Sequence, residues 1–223
     1  MNTVVTYFEE TELPVAEQRR LLEVWTQGWW ALGWVPRVLT RAHAEQHPAW
    51  GEFSKAFLGY PTFNGRRYEA ACWARWCAYS VVAREINAPI LATDFDLLNV
   101  GGLDSTFGAP SRGRLLALHS VPTVAVVGDQ RAFDGFVMAA TREAERGIVR
   151  VEGKMHVSDM TLAQAIPGMW SWQILSQEWF PGAVGPLVHV SHAAAARWGR
   201  TKVEVVESEY AQKVVATSGA ESQ

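Results

Sequence analysis

Residues 88–102 have the sequence APILATDFDLLNVGG, and the interpretation of the rest of the chain starts from this stretch. Residues 90–92 form an apolar run behind a proline. The run is too short for a helix and apolar on both faces, which is typical of a strand buried within a sheet. Asp94 and Asp96 follow it. Because residues i and i+2 of a strand point to the same side, about 7 Å apart, we expect both carboxylates to meet at the end of this strand.

Two anions this close together are unfavourable unless a cation lies near them. Open α/β sheets bind their ligands at this end of their strands. Mg²⁺ and Mn²⁺ prefer carboxylate and phosphate oxygens, so a divalent metal that holds a diphosphate would supply the cation. The alternative is that Asp94 and Asp96 are turn residues that cap the loop after the strand, because Asp-x-Asp alone does not decide between the two.

Length, charge and cysteine content limit the class of protein. The 223 residues suffice for one sizeable core, and a net charge of −3 gives no overall basic field for nucleic acid or an anionic membrane. Cys72 and Cys77 lie in one predicted helix at a spacing that suits neither a zinc site nor a structural disulfide. We find no signal peptide and no apolar run long enough to span a bilayer, so we expect a cytoplasmic protein.

The order of the predicted elements is that of an α/β sheet with helices between its strands. The first half has predicted strands at 3–8, 34–40 and 90–92 and helices at 15–32 and 68–86. The second half has predicted strands at 114–119, 122–127, 187–192 and 202–207, and a helix at 131–146. We predict a single domain over residues 1–216 with a central mixed sheet flanked by helices, followed by a disordered tail at 217–223. The first strand is followed by no glycine-rich phosphate loop, which argues against dinucleotide oxidoreductases and P-loop hydrolases.

The Asp-Phe-Asp at the end of an apolar strand resembles the Asp-x-Asp signature of the GT-A class of nucleotide-sugar-dependent glycosyltransferases. The resemblance takes in the order of elements from residue 3 to about residue 192. It implies one GT-A-like (Rossmann-like) domain, with a donor half at about 1–102 and an acceptor half at about 103–200. It also implies a metal-dependent transferase, with Mn²⁺ or Mg²⁺ as cofactor and a nucleoside diphosphate sugar as donor substrate.

The resemblance implies a set of metal ligands. Asp94 would contact the donor ribose or the metal, and Asp96 would ligate the metal. A late histidine would complete the coordination, and the candidates are His189 and His192 at the end of the last predicted strand. Residues three apart on a straight strand cannot both point at one metal, so we favour His189. The alternative is that both are core or loop histidines.

The resemblance also implies donor-binding residues and a base. Arg75, on the helix before the Asp-x-Asp strand, would help to hold the donor, or would instead lie along the helix surface. Asp159 would be the general base that takes the proton of the acceptor hydroxyl. The alternative for Asp159 is a place in the first turn of a helix capped by Ser158, where the helix dipole favours a carboxylate. The nucleobase would lie just past the first strand, at Tyr7, Phe8 and Glu9.

Two other function classes remain open from the sequence. A metal-dependent nucleotidyltransferase or phosphohydrolase also uses Asp-x-Asp at a strand end, with a further carboxylate for which Asp104 and Asp129 are candidates. A non-catalytic module could hold a saccharide with some of the 11 tryptophans. The acceptor is equally open: a saccharide, a protein, a small molecule, or a hydroxymethylated base in viral DNA, the last implying a virus-encoded enzyme in a host cytoplasm. DNA would need a local basic surface, for which the candidate arginines are Arg112, Arg114, Arg131, Arg197 and Arg200.

Overall fold

The computed structural model describes residues 2–11, 14–57, 62–101, 103, 113–146, 150–151, 154–155, 157–181 and 185–208, and the structural statements below refer to these residues. The first half contains β1 (Thr3–Tyr7), α1 (Val15–Ala31), β2 (Val35–Leu39), α2 (Arg41–Ala44), α3 (Trp50–Phe57), α4 (Arg66–Ile86), β3 (Ile90–Thr93) and β4 (Leu97–Asn99). The second half contains β5 (Leu115–Ala117), β6 (Ala125–Gly128), α5 (Gln130–Arg146), β7 (Arg150–Val151), β8 (Lys154–Met155), α6 (Asp159–Ala165), β9 (Trp170–Trp172), β10 (Ser176–Glu178), β11 (Leu187–His189) and α7 (His192–Arg197). Residues 202–208 are also helical and are called α8.

The central sheet has six strands in the order β2-β1-β3-β6-β5-β9. β1 is parallel to β2 and β3, β6 is antiparallel to β3 and β5, and β9 is parallel to β5. A second sheet has the order β10-β11-β4, and β7 pairs with β8. The prediction of an α/β protein with a central mixed sheet flanked by helices is therefore confirmed. The tail predicted at 217–223 lies outside the described residues.

The central strands are buried on both faces, and their alternate residues belong to different clusters. Val5 and Ala92 belong to the cluster that contains the aromatic side chains of α4 and α5. Val4 and Leu91 belong to the cluster that contains the tryptophans of α1. This division follows from the period of two in a strand, and it explains why residues 90–92 are apolar throughout.

The tryptophans serve mainly as core residues. Trp76 of α4 is fully buried and stacks on Phe136 of α5, with ring centroids 3.8 Å apart. Trp25 and Trp29 of α1 are also fully buried, on the other face of the sheet. Alanines on α4 belong to the same cluster as Trp76 and Phe136, and their small side chains leave room for these two rings.

The connection from α4 to β3 brings Arg75 close to the Asp-x-Asp stretch. α4 ends at Ile86, and Asn87 adopts a left-handed conformation (φ 54°) that reverses the chain before β3. Arg75 lies about 16 Å back along the helix from its end. Four residues of β3 cover about 13 Å in the opposite direction. Because the helix and the strand run in opposite directions, Arg75 and Asp94 lie close together although they are far apart in the sequence.

Among the regions that differ from the sequence-based predictions are residues 50–57 and 202–207. Residues 50–57, for which no helix or strand is predicted from the sequence, form α3. Residues 202–207, expected to be an edge strand, belong to the helix α8. The reason is that Val205 and Val206 are adjacent and both fully buried, in a cluster with α1 and β11, whereas an edge strand would bury only one of them.

A polar network joins α5 to α4 and to the loop after α2. Ser80 donates a hydrogen bond to Asp134 Oδ1, and His47 Nε2 lies 2.9 Å from the same oxygen. His47 Nδ1 accepts from the Ala49 N–H at 3.1 Å, which leaves the proton on Nε2 to be donated to Asp134. Burial opposes ionisation of Asp134, but the hydrogen bonds from His47 and Ser80 outweigh it and lower the pKa of this carboxyl.

Asp134→Ala should lower the free energy of unfolding by about 1–3 kcal/mol at pH 7, because it leaves buried polar groups without a partner. A carboxyl whose pKa is lowered by folding contributes stability that is present above its unfolded pKa, about 3.9, and is lost as the pH falls through the folded pKa. Urea unfolding should therefore show a smaller deficit near pH 3 than at pH 7. Glu145→Ala, at an exposed position of the same helix, is the control. Equal stability of Asp134→Ala and wild type at pH 7 would contradict this account.

Candidate functional site

A cleft of about 440 Å³ lies beside the ends of β1 and β3. Its lining comes from the end of β1, the residues after β3, and the N-terminal parts of α1, α4, α6, α7 and α8. This volume falls in the range of small-molecule and cofactor sites. The position is the one expected for a ligand in an open α/β sheet.

Asp94 and Asp96 line this cleft, but they are not part of a strand. β3 ends at Thr93, and the Leu97 N–H donates to the Asp94 carbonyl at 3.2 Å, which closes a tight turn. The expectation that a strand pleat places the two carboxylates on one side is therefore wrong, and the turn brings them together instead. Phe95, between them, is partly buried against apolar clusters on that side of the sheet and anchors the turn.

Arg75 is buried and joins Asp94 to Asp159. Its Nη1 donates to Asp94 Oδ1 at 2.5 Å, and its Nε donates to Asp159 Oδ2 at 2.9 Å. Burial opposes the charge on the guanidinium, but Asp159 and Asp94 outweigh it and raise the pKa of Arg75. Burial raises the pKa of Asp94 to about 6, with Asp96 adding to the shift and Arg75 opposing it. The structure thus places Arg75 inside the cleft, beside Asp94, and not along the helix surface.

One carboxylate oxygen of Asp96 accepts a hydrogen bond and the other does not. Lys202 Nζ, at the start of α8, donates to Oδ2 at 2.6 Å. Oδ1 is buried and has no hydrogen-bond partner among the described residues. His189 Nε2 lies 3.6 Å from Oδ1, too far for a hydrogen bond. Burial opposes ionisation, but Lys202 and His189 hold the pKa of Asp96 well below its usual value.

His189 lies close to the aspartate pair but is not among the residues that line the cleft, whereas His192 lines the cleft. One ligand atom each of Asp94, Asp96 and His189 lie within 4.8 Å of one another. Burial opposes protonation of His189, but Asp96 and Glu178 raise its pKa to about 10. His192 begins α7 and lines the cleft, and burial together with Lys202 lowers its pKa. It is not part of the group that His189 forms with Asp94 and Asp96.

These three residues fit a divalent cation. Asp96 is ionised and paired with Lys202 through Oδ2, but its buried Oδ1 accepts no hydrogen bond among the described residues, which is costly for a buried polar atom. Two carboxylates and an imidazole suit Mn²⁺ well, and an imidazole suits Mn²⁺ better than Mg²⁺. Each residue is also held by a further side chain: Asp94 by Arg75, Asp96 by Lys202, and His189 Nδ1 by Glu178 at 3.0 Å. A ligand supported in this way is oriented before the metal binds.

Asp159 is buried, with 1% of its surface exposed, at the start of α6. The predicted cap is confirmed, because Ser158 Oγ accepts from the Thr161 N–H at 3.2 Å. Asp159 Oδ2 accepts hydrogen bonds from Arg75 and, at 3.0 Å, from Trp76 Nε1. This carboxylate therefore fixes the guanidinium of Arg75, and its role as a general base stays a prediction.

The three residues expected at the nucleobase end have different surroundings. Tyr7 and Glu9 line the cleft, and the Tyr7 hydroxyl donates to Glu9 Oε2 at 2.8 Å. Arg41 donates to Glu9 Oε1 through two nitrogens, at 2.9 and 2.8 Å. Phe8 is not among the residues that line the cleft, and its ring packs edge-on against Phe95. Phe8 therefore packs against the central residue of the Asp-x-Asp turn instead of lining the cleft.

Among the charged residues at the site, neither Lys202 nor Glu178 is predicted from the sequence as a site residue. Lys202 was assigned to an edge strand, although apolar residues three and four positions later are the signal of a helix. Glu178 lies in a strand of three residues that has no periodic signal, and only the pairing of β10 with β11 brings it to His189.

Comparison of the chain with protein-family models, with curated proteins and with solved structures finds no match in any of the three. Across the described ranges, none of the helices combines the length and the apolar character needed to cross a membrane. Function is therefore inferred from the cleft and its side chains.

Proposed function

We propose that this protein is a metal-dependent glycosyltransferase that moves a sugar from a nucleoside diphosphate sugar to an acceptor hydroxyl. The observation that carries the proposal is the group formed by Asp94, Asp96 and His189, with Asp96 Oδ1 buried and without a hydrogen-bond donor, beside a cleft of about 440 Å³ that both aspartates line. The GT-A resemblance of the Asp-Phe-Asp stretch, and the α/β fold with a mixed sheet around it, support the same assignment.

Asp94, Asp96 and His189 would hold the metal, which neutralises negative charge on the leaving diphosphate when it is bound. The cationic side chains of the cleft would bind the same diphosphate. Arg75 is fixed by Asp159, whose carboxylate also accepts from Trp76 Nε1, so the charge of Arg75 is held in place without a cost at the time of reaction. Lys202 adds a second buried cation that lines the cleft.

Other lining residues would contact the nucleoside and the sugar of the donor. Tyr7 and Glu9 would contact the nucleobase and ribose of the donor. Tyr68 and Met160 are 38% and 40% exposed and also line the cleft. Their surfaces offer an apolar platform for the ring of a sugar. The acceptor is a saccharide, a small molecule, a protein or modified DNA.

The structure offers less support for the other function classes. Asp129 Oδ1 accepts from the Ala132 N–H at the start of α5, outside the cleft, and is not a further carboxylate for phosphoryl chemistry there. Asp104 lies outside the described residues. No tryptophan is among the described residues that line the cleft, which gives no support to a saccharide-binding module built on tryptophan.

Of the arginines suggested for a DNA-binding surface, Arg131 and Arg197 are exposed, and two others donate hydrogen bonds within the protein. Arg114 donates to the Trp170 carbonyl at 2.7 Å, and Arg200 donates to the Glu204 carbonyl at 2.6 Å. Both guanidinium groups are thus engaged within the protein. Arg112 lies outside the described residues.

The first test is a panel of nucleotide sugars, monitored for release of nucleoside diphosphate with and without Mn²⁺. We expect metal-dependent release that is faster when the acceptor is present. Asp96→Asn keeps the shape of the side chain and removes its charge, so it should abolish Mn²⁺-dependent nucleotide binding in calorimetry while the circular dichroism spectrum is unchanged. Glu145→Gln, on the exposed face of α5, is the matched control. Unchanged metal-dependent binding in Asp96→Asn would refute the proposal, and release of pyrophosphate would identify a nucleotidyltransferase instead.

The second test concerns Asp159, for which the hydrogen bonds favour a role in positioning Arg75. We expect Asp159→Asn to lower the melting temperature, because it weakens charge-assisted hydrogen bonds, and to leave turnover at saturating donor within about tenfold of wild type. Loss of a general base would cost roughly a hundredfold to ten-thousandfold in the chemical step. A variant with normal stability and a loss of that size would establish Asp159 as the base.

A further inference from the structure

His189 lies between two carboxylates, and the two nitrogens of its ring face different ones. Nδ1 is 3.0 Å from Glu178 Oε2, and Nε2 is 3.6 Å from Asp96 Oδ1. Glu178 is itself held in place, because its Oε1 accepts from the Ser191 N–H at 3.2 Å. The contacts from Glu178 through His189 to Asp96 therefore consist of one hydrogen bond and one longer contact. The longer contact is made to Asp96 Oδ1, which has no hydrogen-bond donor among the described residues.

The small sheet fixes this arrangement. Glu178 of β10 and His189 of β11 are register partners, and His189 is in turn the register partner of Leu97 of β4. Asp96 directly precedes Leu97, and its carbonyl accepts from the Val190 N–H at 3.0 Å. Because side chains of register partners stand on the same face of a sheet, the backbone pairing alone places the carboxylate of Glu178 beside the imidazole of His189.

We propose that Glu178 is a positioning residue that holds His189 with Nε2 toward Asp96, so that a divalent cation binds to Asp94, Asp96 and His189. The inference rests on the proposed function, because it concerns the metal site of that function. A carboxylate on the far nitrogen of a metal-binding histidine fixes its tautomer and its ring orientation and raises the basicity of the ligating nitrogen. Glu178 Oε2 has this relation to His189 Nδ1.

A second group, His119, Glu178 and His189, also has ligand atoms within 4.8 Å of one another, and it would place the cation on the other side of His189. The polar atoms of His119 and Glu178 in this second group already have hydrogen-bond partners. The shorter contact of His119 Nδ1 is with the Val121 N–H, at 2.9 Å, and a ring that accepts there carries its proton on Nε2. Glu178 is occupied by His189 and by the Ser191 N–H. Asp96 Oδ1, which has no hydrogen-bond donor in the described part of the chain, lies on the Nε2 side of His189, where we propose that the cation binds.

The experiment measures binding of Mn²⁺ alone to the full chain, without nucleotide, by calorimetry and by pulsed electron paramagnetic resonance of the ¹⁴N nuclei around the ion. Wild type should bind Mn²⁺ with a directly coordinated imidazole nitrogen. Glu178→Ala should weaken Mn²⁺ binding by about tenfold to a hundredfold. Glu178→Gln should lose less, since its amide oxygen still accepts from Nδ1–H. His119→Asn, whose amide oxygen can replace Nδ1 as acceptor for the Val121 N–H, is the matched control and should bind like wild type.

The outcomes separate this inference from the proposed function. If wild type binds no Mn²⁺, the metal site of the proposed function fails, and the positioning role fails with it. If wild type binds Mn²⁺ and both Glu178 variants bind equally well, only the inference is overturned. A loss of binding in His119→Asn together with normal binding in Asp96→Asn would place the ion in the other group and also overturn it. Melting temperatures of the metal-free variants show whether a loss of affinity is merely a loss of fold.

Discussion

Buried negative charge at the turn between β3 and β4 is the constraint on which the site depends. Asp94 and Asp96 cannot both stay ionised in a partly buried position unless cations lie against them. The chain supplies these cations from separate elements: Arg75 from α4, Lys202 from α8 and His189 from β11. One turn of the chain thus ties together the central sheet, the small sheet and the last described helix.

This pairing of charges leaves one buried carboxylate oxygen without a hydrogen-bond donor among the described residues. Arg75 takes one oxygen of Asp94 and Lys202 takes one oxygen of Asp96, while Asp96 Oδ1 stays buried without a donor. Protein interiors rarely leave an ionised oxygen in this state, and exceptions concentrate at functional sites. Arg75 does not supply the missing donor, because its guanidinium donates to Asp94 and Asp159.

The sequence was informative wherever a periodic pattern extends over several residues. The apolar run at 90–92, the long helix over α4 and the order of strands and helices led to the correct fold class. The turn at 94–96 was missed because the choice between a continued strand and a tight turn depends on Phe95, whose packing is tertiary. Lys202 lies 106 residues from Asp96, and Glu178 reaches His189 only through strand pairing. Contacts of this kind are determined by the folded backbone, and no local spacing signals them.

The most direct test of the account is the position of the ion itself, measured by anomalous scattering from crystals soaked in Mn²⁺. We expect a peak at bonding distance, about 2.0–2.6 Å, from Asp96 Oδ1 and His189 Nε2, with Asp94 as a further ligand. A peak between His119 and Glu178, or crystals that take up Mn²⁺ with no peak at Asp96, would contradict it.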